Sequence, residues 1–177
     1  GSGLANALSG TSYASEDTDL LGVDEDYTAL ENELAQTVAN IESTHPGYDE
    51  YRYSVDEIGH NPYELASYLS AKYHVYFREQ VQDELREIFD AQYELALTEE
   101  VEIRYRTETS TDPETGETTT EEVPYEYYIL NVKLTSKPIS AVASELLTPE
   151  QMEMYQVYRQ TMGNKPLLFG GGSPDTS

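Results

Sequence analysis

The chain has 177 residues, among them no cysteine, no tryptophan and only three phenylalanines. Without cysteine it cannot form a disulfide bond, a thiolate zinc site or a thiol nucleophile. Basic residues are scarce too: 10 Lys and Arg stand against 34 Asp and Glu, which gives a formal net charge of −24. Such a charge repels the phosphates of nucleic acids and anionic lipid headgroups. We therefore expect no nucleic acid as a partner and no docking on a membrane surface.

Long apolar runs are also missing, because no stretch reaches the roughly 18 apolar residues of a membrane-spanning helix. This sequence is therefore not expected to insert directly into a membrane. Hydrophobic residues nevertheless make up 38% of the chain, which is enough for a modest core. The length suits one ordinary domain, or a smaller domain with extended ends.

The distribution of apolar residues predicts where the folded part begins. Residues 1–23 mix small and polar residues without apolar periodicity, which predicts a flexible N-terminal arm. A helix over 25–43, with Asp24 as its N-cap, is predicted by apolar residues at steps of three and four: Tyr27, Leu30, Leu34, Val38 and Ile41. We expect a single domain over 24–166, followed by a linker over 167–177.

Local signals predict further helices. Asn61 is a good N-cap, Pro62 suits the first helical position, and Glu64 stands where a capping-box carboxylate reaches back to the cap. The apolar pattern after Pro62 either continues to about Gln92 or breaks near His74. Residues 139–147 form a short apolar helix pattern, and the stretch from Thr148 to Gln151 repeats the capping-box signature before a last helix ended by Gly163.

Two stretches alternate between apolar and polar residues, as strands with one buried face do. In the first, Val101, Ile103 and Tyr105 are the residues expected to be buried; the second runs from Tyr128 to Leu134. The polar turn sequence at 109–117 between them predicts an antiparallel hairpin with a long exposed tip. The expected fold class is α+β: a small antiparallel sheet built around one long hairpin and packed by three to four helices.

No residue pattern predicts catalysis or metal binding. The three histidines, His45, His60 and His74, lack the spacing of metal ligands, so structural or surface roles are expected for them. Acidic clusters at 17–19 and 24–26 match neither the spacing nor the glycine of a calcium loop. We therefore expect no catalytic residue, no metal and no cofactor, although the many carboxylates leave an independent carboxylate-based hydrolase as a weaker alternative.

Tyrosine is unusually frequent, at sixteen residues. Most tyrosines are expected to fill the core and its margin, but tyrosine is also favoured at interfaces and in sugar stacking. On the second strand, Tyr125 and Tyr127 are two residues apart and share one face, whereas Tyr128 lies on the opposite face. Tyr125, Tyr127 and Ile129 are the candidate interaction surface.

Several stretches resemble one family. These are 44–53 (THPGYDEYRY), 58–65 (IGHNPYEL), and 147–151 (LTPEQ) with 163–166 (GNKP). In order and spacing they resemble the membrane-proximal, extracellular region of NlpC-family cell-wall hydrolases carried by conjugative transposons of Gram-positive bacteria. The ending at 169–177 resembles the lead-in to the catalytic cysteine of such peptidases. The cysteine and histidine of that peptidase have no counterpart here, so no catalytic role is carried over.

The resemblance implies a non-catalytic spacer and protein-interaction domain that positions a peptidoglycan peptidase at the cell wall. Its location would be extracellular, on the surface of a Gram-positive bacterium, with a membrane anchor in the full-length protein. The implied partners are other proteins of the conjugation machinery or cell envelope, with peptidoglycan itself as a further one. A glycan-binding module that uses surface tyrosines is the alternative.

Overall fold

The computed structural model describes residues 11–170, which contain six α-helices, three strands and two short 3₁₀ turns. The helices are α1 (Asp17–Ala39), α2 (Ile41–Thr44), α3 (Pro62–Tyr73), α4 (Gln82–Gln92), α5 (Ile139–Leu146) and α6 (Pro149–Thr161). The strands are β1 (Glu50–Val55), β2 (Tyr93–Thr111) and β3 (Thr118–Ser136). None of the helices in the described residues is long and apolar enough to cross a membrane.

The chain folds into two compact units. Within the described residues, unit 1 consists of 11–38, 57–94 and 135–170, and unit 2 consists of 39–56 and 95–134. The single domain expected over 24–166 stays a prediction, and so does the role of 167–177 as a linker, of which 171–177 lie outside the described residues.

Unit 1 is helical, and tyrosines supply much of its core. Helix α3 packs against both α5 and α6. Eight of the sixteen tyrosines of the chain are buried, in agreement with a core role: Tyr13, Tyr27, Tyr63, Tyr68, Tyr76, Tyr93, Tyr155 and Tyr158. Because a tyrosine ring buries a large apolar area, these side chains can take the place of the absent tryptophan and the scarce phenylalanine.

The predicted flexible arm over 1–23 is wrong for residues 11–23, while residues 1–10 lie outside the described part. Helix α1 begins at Asp17, and Tyr13, Leu20 and Val23 are buried in unit 1. Burial of these few apolar side chains outweighs the polar composition of the segment. Asp24 is therefore an interior residue of α1 and not its N-cap.

The other local sequence signals agree better with the structure. Asn61 caps α3 by accepting a hydrogen bond from the Tyr63 N–H at 2.8 Å, as predicted. Glu64 does not complete a capping box, since it accepts from the Ser140 N–H at 2.9 Å instead. The helical pattern breaks at His74, whose φ of 64° ends α3. The capping box between Thr148 and Gln151 is confirmed.

Unit 2 contains a three-stranded sheet in the order β1-β3-β2. Strands β2 and β3 form the long predicted hairpin, whose turn lies between Asp112 and Glu117. The fold class α+β is confirmed, but the sheet is mixed and not purely antiparallel, because β1 pairs in parallel with β3 from Glu50↔Ile129 to Val55↔Leu134. Parallel pairing needs a long connection, which strand alternation alone does not reveal.

One face of the sheet forms the small core of unit 2. Ile41 from α2 packs there against Leu130 and Val132 of β3. Four partly buried side chains surround these three: Tyr48, Tyr51, Leu95 and Leu97. Successive strand residues point to opposite faces, so every second residue of each strand lies on this side.

Candidate interaction surface and the buried His60 cluster

The three residues proposed from the sequence do not form one exposed surface. Tyr125 and Tyr127 are half-buried on β3, but Ile129 is fully buried. A partner docking on this fold could not contact Ile129, so its place in the predicted surface is wrong. The interaction role of Tyr125 and Tyr127 stays a prediction.

Tyr125 and Tyr127 lie on a face of the sheet that is rich in paired charges, called here the polar face. The Arg104 guanidinium lies 3.4 Å from the centre of the Tyr127 ring, and the Tyr127 hydroxyl donates to Glu50 Oε1 at 2.8 Å. That hydrogen bond raises the pKa of Tyr127 above its usual value. Arg104 also pairs with Glu102 at 3.2 Å. Internal partners therefore occupy the polar groups around Tyr127.

The opposite face, called here the apolar face, continues from the Ile41 core toward the hairpin turn. Val101, Ile103, Tyr105 and Tyr128 lie on it and are between 41% and 63% exposed. The sequence predicts Val101, Ile103 and Tyr105 as the buried residues of their strand, and this is wrong. Alternation shows that a face is apolar, but it does not show whether anything covers it.

Charge is distributed unequally between the two faces. Every second residue from Leu95 to Tyr105 and from Pro124 to Leu134 lies on the apolar face, and none of them is Lys or Arg. The carboxylates on this face, Glu99 and Glu126, accept hydrogen bonds from the hydroxyls of Tyr48 and Tyr128. Within residues 11–170 neither carboxylate has an ion-pair partner. The apolar face therefore combines exposed apolar side chains with negative charge that no cation neutralises.

A second polar feature, the His60 cluster, is buried in unit 1. His60 precedes α3, and its side chain is 5% exposed. Its Nε2 lies 2.5 Å from Asp24 Oδ1 and its Nδ1 lies 2.7 Å from Glu31 Oε1. Both carboxylates come from one face of α1, where the edge of the Tyr27 ring also packs against the imidazole with ring centres 4.8 Å apart.

The remaining members complete the hydrogen bonding of the His60 cluster. Tyr93 donates its hydroxyl proton to Glu31 and accepts from the Gly59 N–H at 2.9 Å. Tyr27 donates to the side-chain oxygen of Gln92. Each buried polar group thus has a partner, which is what keeps such a network from being costly.

The two carboxylates decide the charge state of His60. Burial alone would lower its pKa, but the hydrogen bonds to Asp24 and Glu31 and their negative charge raise it to about 9. At neutral pH the ring is therefore an imidazolium that donates from both nitrogens. A histidine held in this way is a structural ion-pair partner, because neither nitrogen is free to accept a proton from a substrate.

The other histidines are separate from this cluster. His45 is exposed, with Nδ1 2.9 Å from Thr44 Oγ1, and His74 Nδ1 lies 3.2 Å from the Tyr158 hydroxyl. No group of three or more metal-ligating side chains in residues 11–170 is arranged to hold a metal ion. The pairing of His60 with Asp24 and Glu31 carries no local sequence signal, since the partners are 36 and 29 residues apart.

Comparison with known proteins adds no identification: no family model matches the chain, and no match was found among curated proteins or solved structures.

Proposed function

We propose that this chain is a non-catalytic interaction region and spacer of a peptidoglycan hydrolase carried by a conjugative element. In this proposal the chain lies outside a Gram-positive cell and positions a peptidase at the cell wall. The full-length protein that contains it is anchored in the membrane. The sequence resemblance supplies the biological setting. The observation that carries the interaction role is the exposed apolar face of unit 2.

The apolar face has the features of a protein-binding surface. Val101, Ile103 and Tyr105 place large apolar side chains in a row on one strand, and Tyr128 lies on the same face of the neighbouring strand. Contiguous exposed apolar residues are costly in water and are characteristic of binding sites. Aromatic residues such as Tyr105 and Tyr128 are enriched at the centre of interfaces, which a polar rim surrounds.

The arrangement of the ionisable groups supports a non-catalytic role. His60 and Glu31 have the most buried charges of the His60 cluster, at 5% and 7% side-chain exposure. Each is bound to a partner inside unit 1, whereas a general acid or base must reach the proton that it transfers. The raised pKa of His60 is therefore explained by its hydrogen bonds within unit 1 and needs no catalytic role.

A cell-wall digestion assay tests the proposal. The purified chain is incubated with Gram-positive peptidoglycan, and the soluble fraction is examined for muropeptides by mass spectrometry beside an active endopeptidase as the positive control. We expect no release above buffer. Released stem peptides or glycan fragments would contradict the proposal and favour a hydrolase.

Sedimentation of the same mixture tests the glycan-binding alternative, for which the exposed rings of Tyr105 and Tyr128 are the specific observation. We expect the chain to remain in the supernatant. If it sediments with peptidoglycan, and replacement of Tyr105 and Tyr128 by serine abolishes this, the chain is a glycan-binding module and the interaction proposal is wrong.

A further inference from the structure

We infer that two copies of this chain associate through the outer edges of their β2 strands, which pair antiparallel with Ile103 of one copy opposite Ile103 of the other. This inference goes beyond the proposed function and does not depend on it. Three features of unit 2 carry it: an unpaired strand edge, the direction of the main-chain groups on that edge, and a charge pattern that is complementary to itself.

The first feature is the strand edge. In the order β1-β3-β2, strand β2 has β3 on one side, and no strand of the described residues pairs with its other side. The 19 residues of β2 include no proline and no lysine, two residues that commonly protect such an edge. A long, uninterrupted edge is a template for another extended chain.

The second feature is the direction of the main-chain groups along β2. The Asp112 N–H donates to the Glu117 carbonyl at one end of the hairpin, and the Lys137 N–H donates to the Gln92 carbonyl at the other end. On the β2 side both bonds use an even-numbered residue, and the two pairs belong to one register. Because successive strand residues direct their N–H and C=O groups to alternate sides, the odd-numbered residues around Ile103 direct theirs away from β3.

An antiparallel second copy centred on Ile103 would use these outward groups. Ile103 would exchange both main-chain hydrogen bonds with its counterpart, and Val101 would do the same with Tyr105 of the second copy. The side chains of these residues lie on the apolar face and are more than half exposed. Pairing would therefore bring apolar side chains together across the edge and join the two apolar faces.

The third feature is the charge pattern of the side chains between these positions. The same pairing sets Glu102 opposite Arg104 of the second copy, and Glu100 opposite Arg106. These pairs fall at the positions without main-chain hydrogen bonds, where opposing side chains are closer to each other. Each pair occurs twice because the interface has twofold symmetry. Opposite charges across paired strands are stabilising.

Charge also selects this register over its neighbours. With Ile103 at the centre, no charged residue within 95–111 lies opposite a residue of the same charge. Centring the pairing on Glu102 or Arg104 would set that residue opposite its own copy. Centring it on Val101 or Tyr105 would set two glutamates or two arginines opposite each other. Exposed ion pairs contribute little affinity, so their role here is to fix the register.

The charged side chains of this edge remain accessible to a second copy. Glu100 and Arg106 are exposed. Arg104 and Glu102 lie 3.2 Å apart on their own strand and keep 37% and 34% of their side chains exposed, so the same pair of a second copy can join them. The net charge of −24 opposes association at low ionic strength, but charges farther apart than about 8 Å are largely screened at physiological salt.

A charge-exchange experiment tests the inference. Sedimentation velocity at physiological ionic strength, over a series of concentrations, should show a monomer–dimer equilibrium of the wild-type chain. Glu100→Arg and Arg106→Glu should each weaken the dimer roughly tenfold, because two ion pairs become two pairs of like charges. An equimolar mixture of the two variants should associate again, since a mixed dimer restores opposite charges in both pairs.

The controls separate the interface from general charge effects. Glu121→Arg is the same change at an exposed position of β3, one strand away from the outer edge, and it should leave the dimer unchanged. Glu100→Arg reduces the net negative charge of the chain, so overall repulsion cannot explain a weaker dimer of this variant. The substituted residues are exposed, so all variants should keep the wild-type circular dichroism spectrum.

Three outcomes would overturn the inference. The first is a wild-type chain that stays monomeric at its highest soluble concentration, which would leave the edge to an extended segment of another protein. The second is a dimer that Glu100→Arg does not weaken, and the third is a pair of variants that do not associate when mixed. Failure of the inference leaves the proposed function standing, because that function is tested separately by muropeptide release.

Discussion

The imidazole of His60 lies between two carboxylates of one helix, and its closest partner is Asp24, with Nε2 2.5 Å from Oδ1. The second carboxylate, Glu31, is buried beside it. These two ion pairs join helix α1 to the segment that precedes α3, inside unit 1. The stability of unit 1 should therefore depend on His60 and on the proton that His60 carries.

Replacing His60 by alanine should lower the free energy of unfolding by roughly 3–5 kcal/mol, because it leaves the buried Glu31 and the partly buried Asp24 without their cation. Urea denaturation followed by circular dichroism measures the change. His45→Ala is the matched control, since His45 is exposed, and it should have little effect. A loss below about 1 kcal/mol for His60→Ala would show that the ion pairs contribute little net stability.

Stability should fall as the pH rises from neutral to alkaline. The pKa of His60 is about 9 in the folded chain, against an ordinary value of 6.5. Below about 6.5 both states hold the proton and the stabilisation is complete; it is lost as the pH rises through about 9. The full loss in the free energy of unfolding is on the order of 3 kcal/mol.

Urea denaturation midpoints measured from neutral pH to above the His60 pKa of about 9 test whether stability falls as the pH rises. The wild type should lose stability over this range, whereas His60→Gln should show a flatter profile. If both proteins lose stability in parallel, a group other than His60 is responsible.

The cap of α3 gives a third prediction. Asn61→Ala should destabilise the chain by roughly 0.5–2 kcal/mol, because the Tyr63 N–H loses its acceptor at the helix start. Asn61→Asp restores an acceptor and is the control. If alanine and aspartate give the same midpoint in urea, the side-chain hydrogen bond does not stabilise the helix.

Alanine substitutions at two glycines with positive φ distinguish the cost of backbone strain from the cost of side-chain crowding. Gly116 has φ 74° with open space around it, and Gly163 has φ 60° with the Tyr13 ring where a Cβ would lie. Gly116→Ala should cost about 1 kcal/mol from the backbone alone. Gly163→Ala should cost clearly more, because the buried Tyr13 ring must also move. Equal melting midpoints for the two variants would contradict this packing of Tyr13.

Local features of the fold could be predicted from the sequence, since their physical causes lie within a few residues. The Asn61 cap, the capping box at Thr148 and the β2–β3 hairpin are of this kind. The start of α1 is not predictable in this way, because it depends on burial of Tyr13 and Leu20 against distant parts of unit 1. The parallel pairing of β1 with β3 is equally non-local.

The candidate site was only partly predictable for the same reason. The sequence places tyrosines on opposite faces of β3, but it does not indicate which face is covered. The Ile41 core covers the apolar face only near Leu130 and Val132, which leaves Val101 and Ile103 exposed. The exposed row therefore lies across the sheet from Tyr125 and Tyr127.

The measurement that tests the exposed apolar face most directly is methyl NMR of dilute protein labelled on isoleucine and valine, to which a soluble paramagnetic agent is added. Such an agent broadens the signals of methyl groups that solvent reaches and leaves the signals of buried methyl groups sharp. We expect strong broadening at Val101 and Ile103, which are exposed, and little change at Ile139 and Val142, which are buried. Sharp signals from Val101 and Ile103 would contradict the account.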